Sequence, residues 1–275
     1  MKRTRLGSIA VSSLAVLGAA LAAPTFAATE TGTTVPTYQE FKADTLQDDD
    51  HQFIVNGDEP AGTNADLRSF YDRMTGAARG TATPENGLVV NTVGGADDKW
   101  SASQALALTY CVSDKFGSQK GDVVAAMNQG TALWETATSR VNFTYVSAQD
   151  GKCTTRNNNV LFSVEPTRTT QYIARAFFPS TSKRSRNVLV NASSLMSSGS
   201  WTPGNIMGHE LGHVLGFRHE HTRPEAGTCF EDNNWRPLTP YDSASIMHYP
   251  QCNGSSSDLS MTDQDRAGVR SLYGS

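Results

Sequence analysis

One run constrains this chain more than any other feature: His209-Glu210-Leu211-Gly212-His213-Val214-Leu215-Gly216-Phe217-Arg218-His219. It reads H-E-x-x-H-x-x-G-x-x-H. At ordinary residue usage, five residues fixed at these offsets arise by chance in ~10⁻⁵ of chains this long. On a helix, residues i and i+4 stand one above the other. His209 and His213 can therefore present two imidazoles to one ion. Gly216 accepts the left-handed conformation that ends a helix, so the chain can turn there and bring His219 back from a loop. Three protein ligands leave a fourth position for water, which is the arrangement of a reactive zinc and not of a structural one.

Glu210 lies one residue after the first ligand, about 100° around the helix at 3.6 residues per turn. That places a carboxylate beside the open side of the metal, outside the ligand set, where it can serve as a general base. Thr202 suits the N-cap and Pro203 the first helical position. Met207, Leu211, Val214 and Leu215 supply an apolar stripe, so the helix is expected to be buried. The pattern points to metal-assisted hydrolysis with one catalytic Zn²⁺.

Downstream, Ser245-Ile246-Met247-His248-Tyr249 resembles the Met-turn of the metzincin zinc endopeptidases. The stretch His209–Arg223 is similar to the astacin branch in Phe217, Glu220 and His221-Thr222-Arg223. Bacterial secreted metzincins with a related H-E-[IL]-G-H signature are the other close resemblance, and the chain is placed with an astacin-like bacterial group. It departs from astacins after Arg223, where Pro224-Glu225-Ala226-Gly227 replaces the usual acidic run. The resemblance covers roughly Trp100 to Ser275. It implies an α+β, zincin-like catalytic domain with a twisted mixed sheet, two long helices and a loop-rich C-terminal subdomain ending in a helix. It implies Met247 as a hydrophobic floor below the ligands, and Tyr249 as a catalytic group that can ligate zinc or stabilise the transition state. It also implies that Glu220 anchors a matured N-terminus. His221 and His248 receive no metal role.

The N-terminus has the pattern of a signal peptide. Lys2, Arg3 and Arg5 precede an apolar stretch over 14–23, and Thr25-Phe26-Ala27 suits cleavage after Ala27. Residues 28–95 are expected to be a propeptide and linker, and 96–275 the catalytic domain. In the propeptide, Asp48-Asp49-Asp50 reads as part of an extended acidic lead. Asn64 is placed as the cap of a short helix with Leu67, Phe70, Tyr71 and Met74 on one face. Thr75–Gly95 reads as an accessible linker. Phe53-Ile54-Val55-Asn56-Gly57-Asp58 is similar to the astacin F-x-G-D propeptide motif, although Phe53 lies further upstream than that motif asks. The similarity makes Asp58 a candidate inhibitory zinc ligand; the plain alternative is a strand ending in a Gly-Asp turn.

Cys111, Cys153, Cys229 and Cys252 all follow the signal, an even count that suggests two disulfides in an exported protein. Three pairings are possible; the sequence-local Cys111–Cys153 and Cys229–Cys252 are favoured because each would brace one side of a cleft. Strands are expected at 106–112, 141–146, 160–164, 172–178 and 188–190, a long helix at 122–140, and a final helix opened by Thr262 and Asp265. Ala174, Arg175, Ala176 and Phe177 are the candidate edge strand for an extended substrate. Arg175, Arg218 and Arg223 are candidates to favour acidic side chains, with no choice among them.

The expected partners are a protein or peptide substrate and the chain's own propeptide as inhibitor. A formal charge of −4 offers no basic stripe for nucleic acid. No stable membrane insertion is expected after signal removal, and the protein is expected to be a monomer, secreted or extracytoplasmic. The competing reading is a catalytically silent, zinc-containing peptide-binding protein; the intact Glu210 argues against it.

Overall fold

The structure is a computed structural model and describes residues 35–77 and 88–275. The proposed signal peptide lies outside the described residues. The N-terminal segment runs α1 (Tyr38–Asp44), β1 (Leu46–Gln47), β2 (Phe53–Val55), β3 (Glu59–Ala61) and α2 (Asn64–Ala77). Its three strands form a small antiparallel sheet. Phe53, Val55, Ala61, Leu67 and Phe70 make a core of their own, apart from the main one.

Next come β4 (Val89–Val93), β5 (Ala96–Asp97), α3 (Ala102–Ala105), β6 (Leu108–Val112), α4 (Lys120–Ala137), β7 (Phe143–Tyr145), β8 (Phe162–Pro166) and β9 (Ala174–Arg175). They are followed by β10 (Asn187–Val190), α5 (Ala192–Leu195), α6 (Pro203–Val214), β11 (Trp235–Pro237) and α7 (Asp263–Tyr273). The main sheet has the order β7-β6-β8-β10-β9. All its pairs are parallel except β10 with β9, the antiparallel edge. This is the α+β architecture with a mixed sheet and two long helices, α4 and α6, after the N-terminal segment.

Helix α4 buries Val123, Met127 and Trp134 at helical spacing. It meets α6 where both helices carry glycine: a Cβ on Gly130 would stand 2.8 Å from the backbone nitrogen of Gly208. Removing both side chains lets the helix backbones approach closely. The indole of Trp134 then donates to Gly208 O at 2.8 Å.

Several sequence expectations change. Thr63, not Asn64, caps α2: its hydroxyl accepts from Asp66 N at 3.1 Å, and Asn64 is the first helical residue. The strand expected over 172–178 shrinks to Ala174–Arg175; Ala176 and Phe177 are buried beyond it, outside the ladder. The Thr75–Gly95 linker does not hold as one piece. Its start ends α2, residues 78–87 lie outside the described residues, and Val89–Val93 pairs with β11. Leu88 and Val90 belong to the main core, because their side chains are large and apolar. The acidic triplet is no extended lead: Asp48 Oδ1 accepts from the backbone of Asp50 and Gln52, both at 3.0 Å, and folds the β1–β2 connection into a turn.

Both sequence-local disulfides are present, Cys111–Cys153 and Cys229–Cys252. Among the described residues no helix is long and apolar enough to cross a membrane. Cys111–Cys153 closes a loop of sequence separation 42 and so restricts the unfolded chain by about 4 kcal/mol. The double replacement Cys111→Ser, Cys153→Ser should lower unfolding free energy in denaturant by that order; a loss under ~1 kcal/mol would deny the bridge this role.

Candidate metal centre

Helix α6 is capped as the sequence suggests. Thr202 Oγ1 accepts from Asn205 N at 3.1 Å, and Pro203 opens the helix. It ends in a Schellman arrangement: Gly216 N donates to His213 O at 2.9 Å and Phe217 N to Gly212 O at 2.9 Å. Gly216 has φ +99°, and a Cβ there would stand 2.1 Å from Asp98 O. Both conformation and space therefore demand glycine, and the turn delivers His219 to the site.

The three imidazoles converge, with ring centroids 4.8–5.2 Å apart. Each Nδ1 is committed elsewhere: His209 donates to Ile246 O at 2.7 Å, His213 to Phe217 O at 2.8 Å, and His219 to Glu231 Oε1 at 2.6 Å. Carbonyl and carboxylate acceptors keep the proton on Nδ1, so the Nε2 lone pairs are the ones that face inward. Between them lies Asp58. Its Oδ2 is 3.2 Å from His209 Nε2, and its Oδ1 is 3.2 Å from His219 Nε2 and 3.5 Å from His213 Nε2. All four ligand atoms lie within 4.8 Å of one another, and all four residues are buried. His213 Nε2, His219 Nε2 and Asp58 Oδ1 have no hydrogen-bond partner among the described residues. Buried polar atoms are rarely left so, and three nitrogens with one carboxylate oxygen suit a borderline divalent ion such as Zn²⁺.

Asp58 reaches the site from the tip of the β2–β3 hairpin, whose last pair is Val55 with Glu59. Asn56 and Gly57 both have positive φ, 55° and 98°. A Cβ on Gly57 would press on the Tyr249 ring at 3.3 Å, so the tip fits against that ring only as glycine. Tyr249 donates its hydroxyl to Asp58 Oδ2. Burial opposes charge on Asp58, but His219 and His213 outweigh it and hold the carboxyl well below its usual range. Phe53 packs into the segment's own core, away from the histidines.

Glu210 is buried, and its Oε2 has no partner among the described residues. Burial first, and then the charge of Asp58, pushes its carboxyl well above the usual range. Met247 lies under Gly212, where a Cβ would stand 2.3 Å from its sulfur. The Met-turn is held by the first turn of α7. Asp265 accepts from Ser245 Oγ at 2.5 Å and Ile246 N at 2.9 Å, and from Thr262 N at 2.9 Å within the capping box. The buried Glu220 takes Arg223 and Asp242 N on Oε1, while its Oε2 has no partner among the described residues. His221 Nε2 lies 3.4 Å from Glu231, and His248 Nε2 lies 2.9 Å from the Tyr241 hydroxyl.

Two acidic residues escaped the sequence reading. Glu231 orients His219, and Arg218 joins Glu231 at 2.8 Å and also pairs with Asp232. Burial opposes the charge on Glu231, but His219 and Arg218 hold its carboxyl far below the normal range. Their one signal in the sequence is proximity to Cys229, which fixes the loop that carries them. From the N-terminal segment, Arg73 reaches Asp232 at 3.3 Å and Glu59 reaches Arg218 at 3.5 Å.

A family model described as the dual-action HEIGH metallo-peptidase matches residues 101–273. Tolloid-like protein 1 of Homo sapiens and that of Mus musculus are each 35% identical to the chain over 91 residues, covering 25% of this chain and 9% of those proteins. The chain thus spans less than a tenth of these curated relatives. The solved structure of myroilysin aligns with a TM-score of 0.45 and 17% identity, covering 65% of this chain and 96% of that one.

If Glu231 fixes the His219 ring, Glu231→Ala should weaken zinc affinity by about 10–100-fold in a competition titration against a chromophoric chelator. Unchanged affinity in a folded variant would show that the loop alone orients the ring.

Proposed function

This chain belongs to the dual-action HEIGH metallo-peptidase family, and on that premise we propose that it is a zinc-dependent endopeptidase exported as a latent precursor. The observation that carries this reading is the set of inward-facing His209, His213 and His219 nitrogens with the Asp58 carboxylate held between them. In the precursor Asp58 takes the place that water and substrate need. The two disulfides are consistent with an oxidising compartment outside the cytoplasm. The core position of Leu88 favours a maturation point before it, so that the catalytic domain keeps β4.

His209, His213 and His219 would hold the ion. Zinc, when bound, polarises the scissile carbonyl and acidifies water. Glu210 takes a proton from the attacking water and delivers it to the leaving amine. Its unpartnered Oε2 is the free lone-pair site this requires. Tyr249, once released from Asp58, has its hydroxyl free to donate to the developing oxyanion. Met247 and Gly212 keep the floor of the site apolar and dry.

Casein cleavage with and without 1,10-phenanthroline tests the assignment. The matured protein should cleave in a chelator-sensitive way, and matured Glu210→Ala should retain zinc and lose cleavage. Cleavage by purified, zinc-loaded Glu210→Ala at the wild-type rate would remove the general base. Full-length Asp58→Ala should cleave without trimming, at least about tenfold faster than the full-length wild type. Equal latency of the two would leave Asp58 without an inhibitory role.

A further inference from the structure

The three arginines that could read an acidic side chain differ in what neutralises them. Arg218 is paired with Glu231 and Asp232, and Arg223 with Glu220 and Glu225. Those carboxylates follow His219 in the catalytic portion, so both arginines stay compensated whatever becomes of the N-terminal segment. Arg175 is different. Its side chain is wholly buried, and its ion-pair partners among the described residues are Asp48 at 2.8 Å and Asp50 at 3.3 Å. Both belong to the turn between β1 and β2. From the catalytic portion it meets the neutral Asn187, through the backbone oxygen at 3.1 Å and Oδ1 at 2.8 Å.

The surroundings are built for a carboxylate. Arg175 brings both Nε, at 2.9 Å, and Nη2, at 2.8 Å, to one oxygen of Asp48, Oδ2. Asn187 Nδ2 donates to Asp50 Oδ2 at 2.5 Å. Ile54 anchors the turn by packing on Tyr172 and Leu189. The location is also apt. Arg175 lies on the edge strand β9, three residues before Phe178, whose ring meets that of His213 edge-on at 5.4 Å. Three residues of chain span at most about 10 Å, so the backbone of Arg175 lies no further than that from the backbone of Phe178, the residue that touches His213.

We propose that Arg175 and Asn187 form a subsite for an acidic side chain of the substrate, which Asp48 and Asp50 fill in the precursor. Once the segment leaves, Arg175 retains no ion-pair partner among the described residues. A guanidinium stripped of its partners in a recess is costly, and a substrate Asp or Glu restores the missing charge. This rests on the peptidase reading above and names the substrate class it takes: peptides with a carboxylate near the cleaved bond.

The test starts from the full chain with a protease site inserted between Ala77 and Leu88, cut and freed of its segment. Matched peptides carry Asp or Asn at each position up to three residues on either side of the cleaved bond. At one of these positions the wild type should favour Asp over Asn in kcat/KM by about tenfold or more, the scale of one charge-assisted hydrogen bond, and less so at high salt. Arg175→Gln should bring the ratio to near one, with Arg175→Lys between. The readout is a ratio, so a general change of rate does not enter it. No Asp preference in the wild type, or its persistence in Arg175→Gln, overturns the subsite.

If neither peptide series is cleaved, the peptidase reading fails. The subsite is then judged by calorimetric binding of the same peptides to the cut protein: tighter Asp binding supports it and equal binding overturns it. If Arg175→Gln does not fold, Asn187→Ala takes its place and should lower the ratio; an unchanged ratio there counts against the proposal. The pair Asp48→Asn, Asp50→Asn keeps the subsite, so after cutting it should show the wild-type ratio; a lost ratio overturns the assignment.

Discussion

The structure turns on a helix that must be buried all round and yet carries two imidazoles and a carboxylate. From Ile206 to Val214 every residue of α6 is buried. Such a helix is stable only if each polar group inside finds a partner. The surrounding elements supply these one by one. Ile246 O and Phe217 O receive two imidazole protons, and Glu231 receives the third, from His219 beyond the helix. The glycine contact with α4 fixes the helix in depth, and α7 fixes the turn beneath it through Asp265. What lacks a hydrogen-bond partner among the described residues, His213 Nε2, His219 Nε2 and Glu210 Oε2, is what the chemistry would use.

The parts of the site legible in the sequence are those encoded at short range. The i, i+4 histidines, the glycine stop and the Met-turn each occupy a few adjacent residues, so local geometry settles them. The capping box at Thr262 and Asp265 was legible too, but not its second task. Asp265 reaches Ser245 and Ile246 only because α7 packs back on that turn. Glu231 was hidden because its contact with His219 crosses a loop set by a disulfide and by Cys229 at φ 56°. Local propensity has no term for such a contact.

Long-range charge pairing was the least legible feature. A run of aspartates reads as a solvated stretch unless a buried cation elsewhere in the chain is known to await it. Arg175 lies on a strand shorter than the hydrophobic pattern suggested, because only Ala174 and Arg175 find ladder partners on β10. The candidate linker misled for a related reason: its Gly, Ala and Thr content hid Leu88 to Val90, which tertiary packing draws into the core.

The separate small core of the N-terminal segment bears on reversibility. Residues 35–77 fold around Phe53, Val55, Ala61, Leu67 and Phe70, with Tyr38, Phe41 and Met74 at the margin. A body of this size buries too little apolar surface to offset its chain entropy alone. Its shape is therefore borrowed from the surface it lies on. Severed and carried away, it would lose the hairpin that presents Asp58, and rebinding would require it to refold at the cleft. Covalent tethering is what keeps the local concentration high enough for that. On the proposed reading, cutting the tether would act as a ratchet: the stopper would dissolve once drawn, and opening would become a one-way event without further consumption of energy.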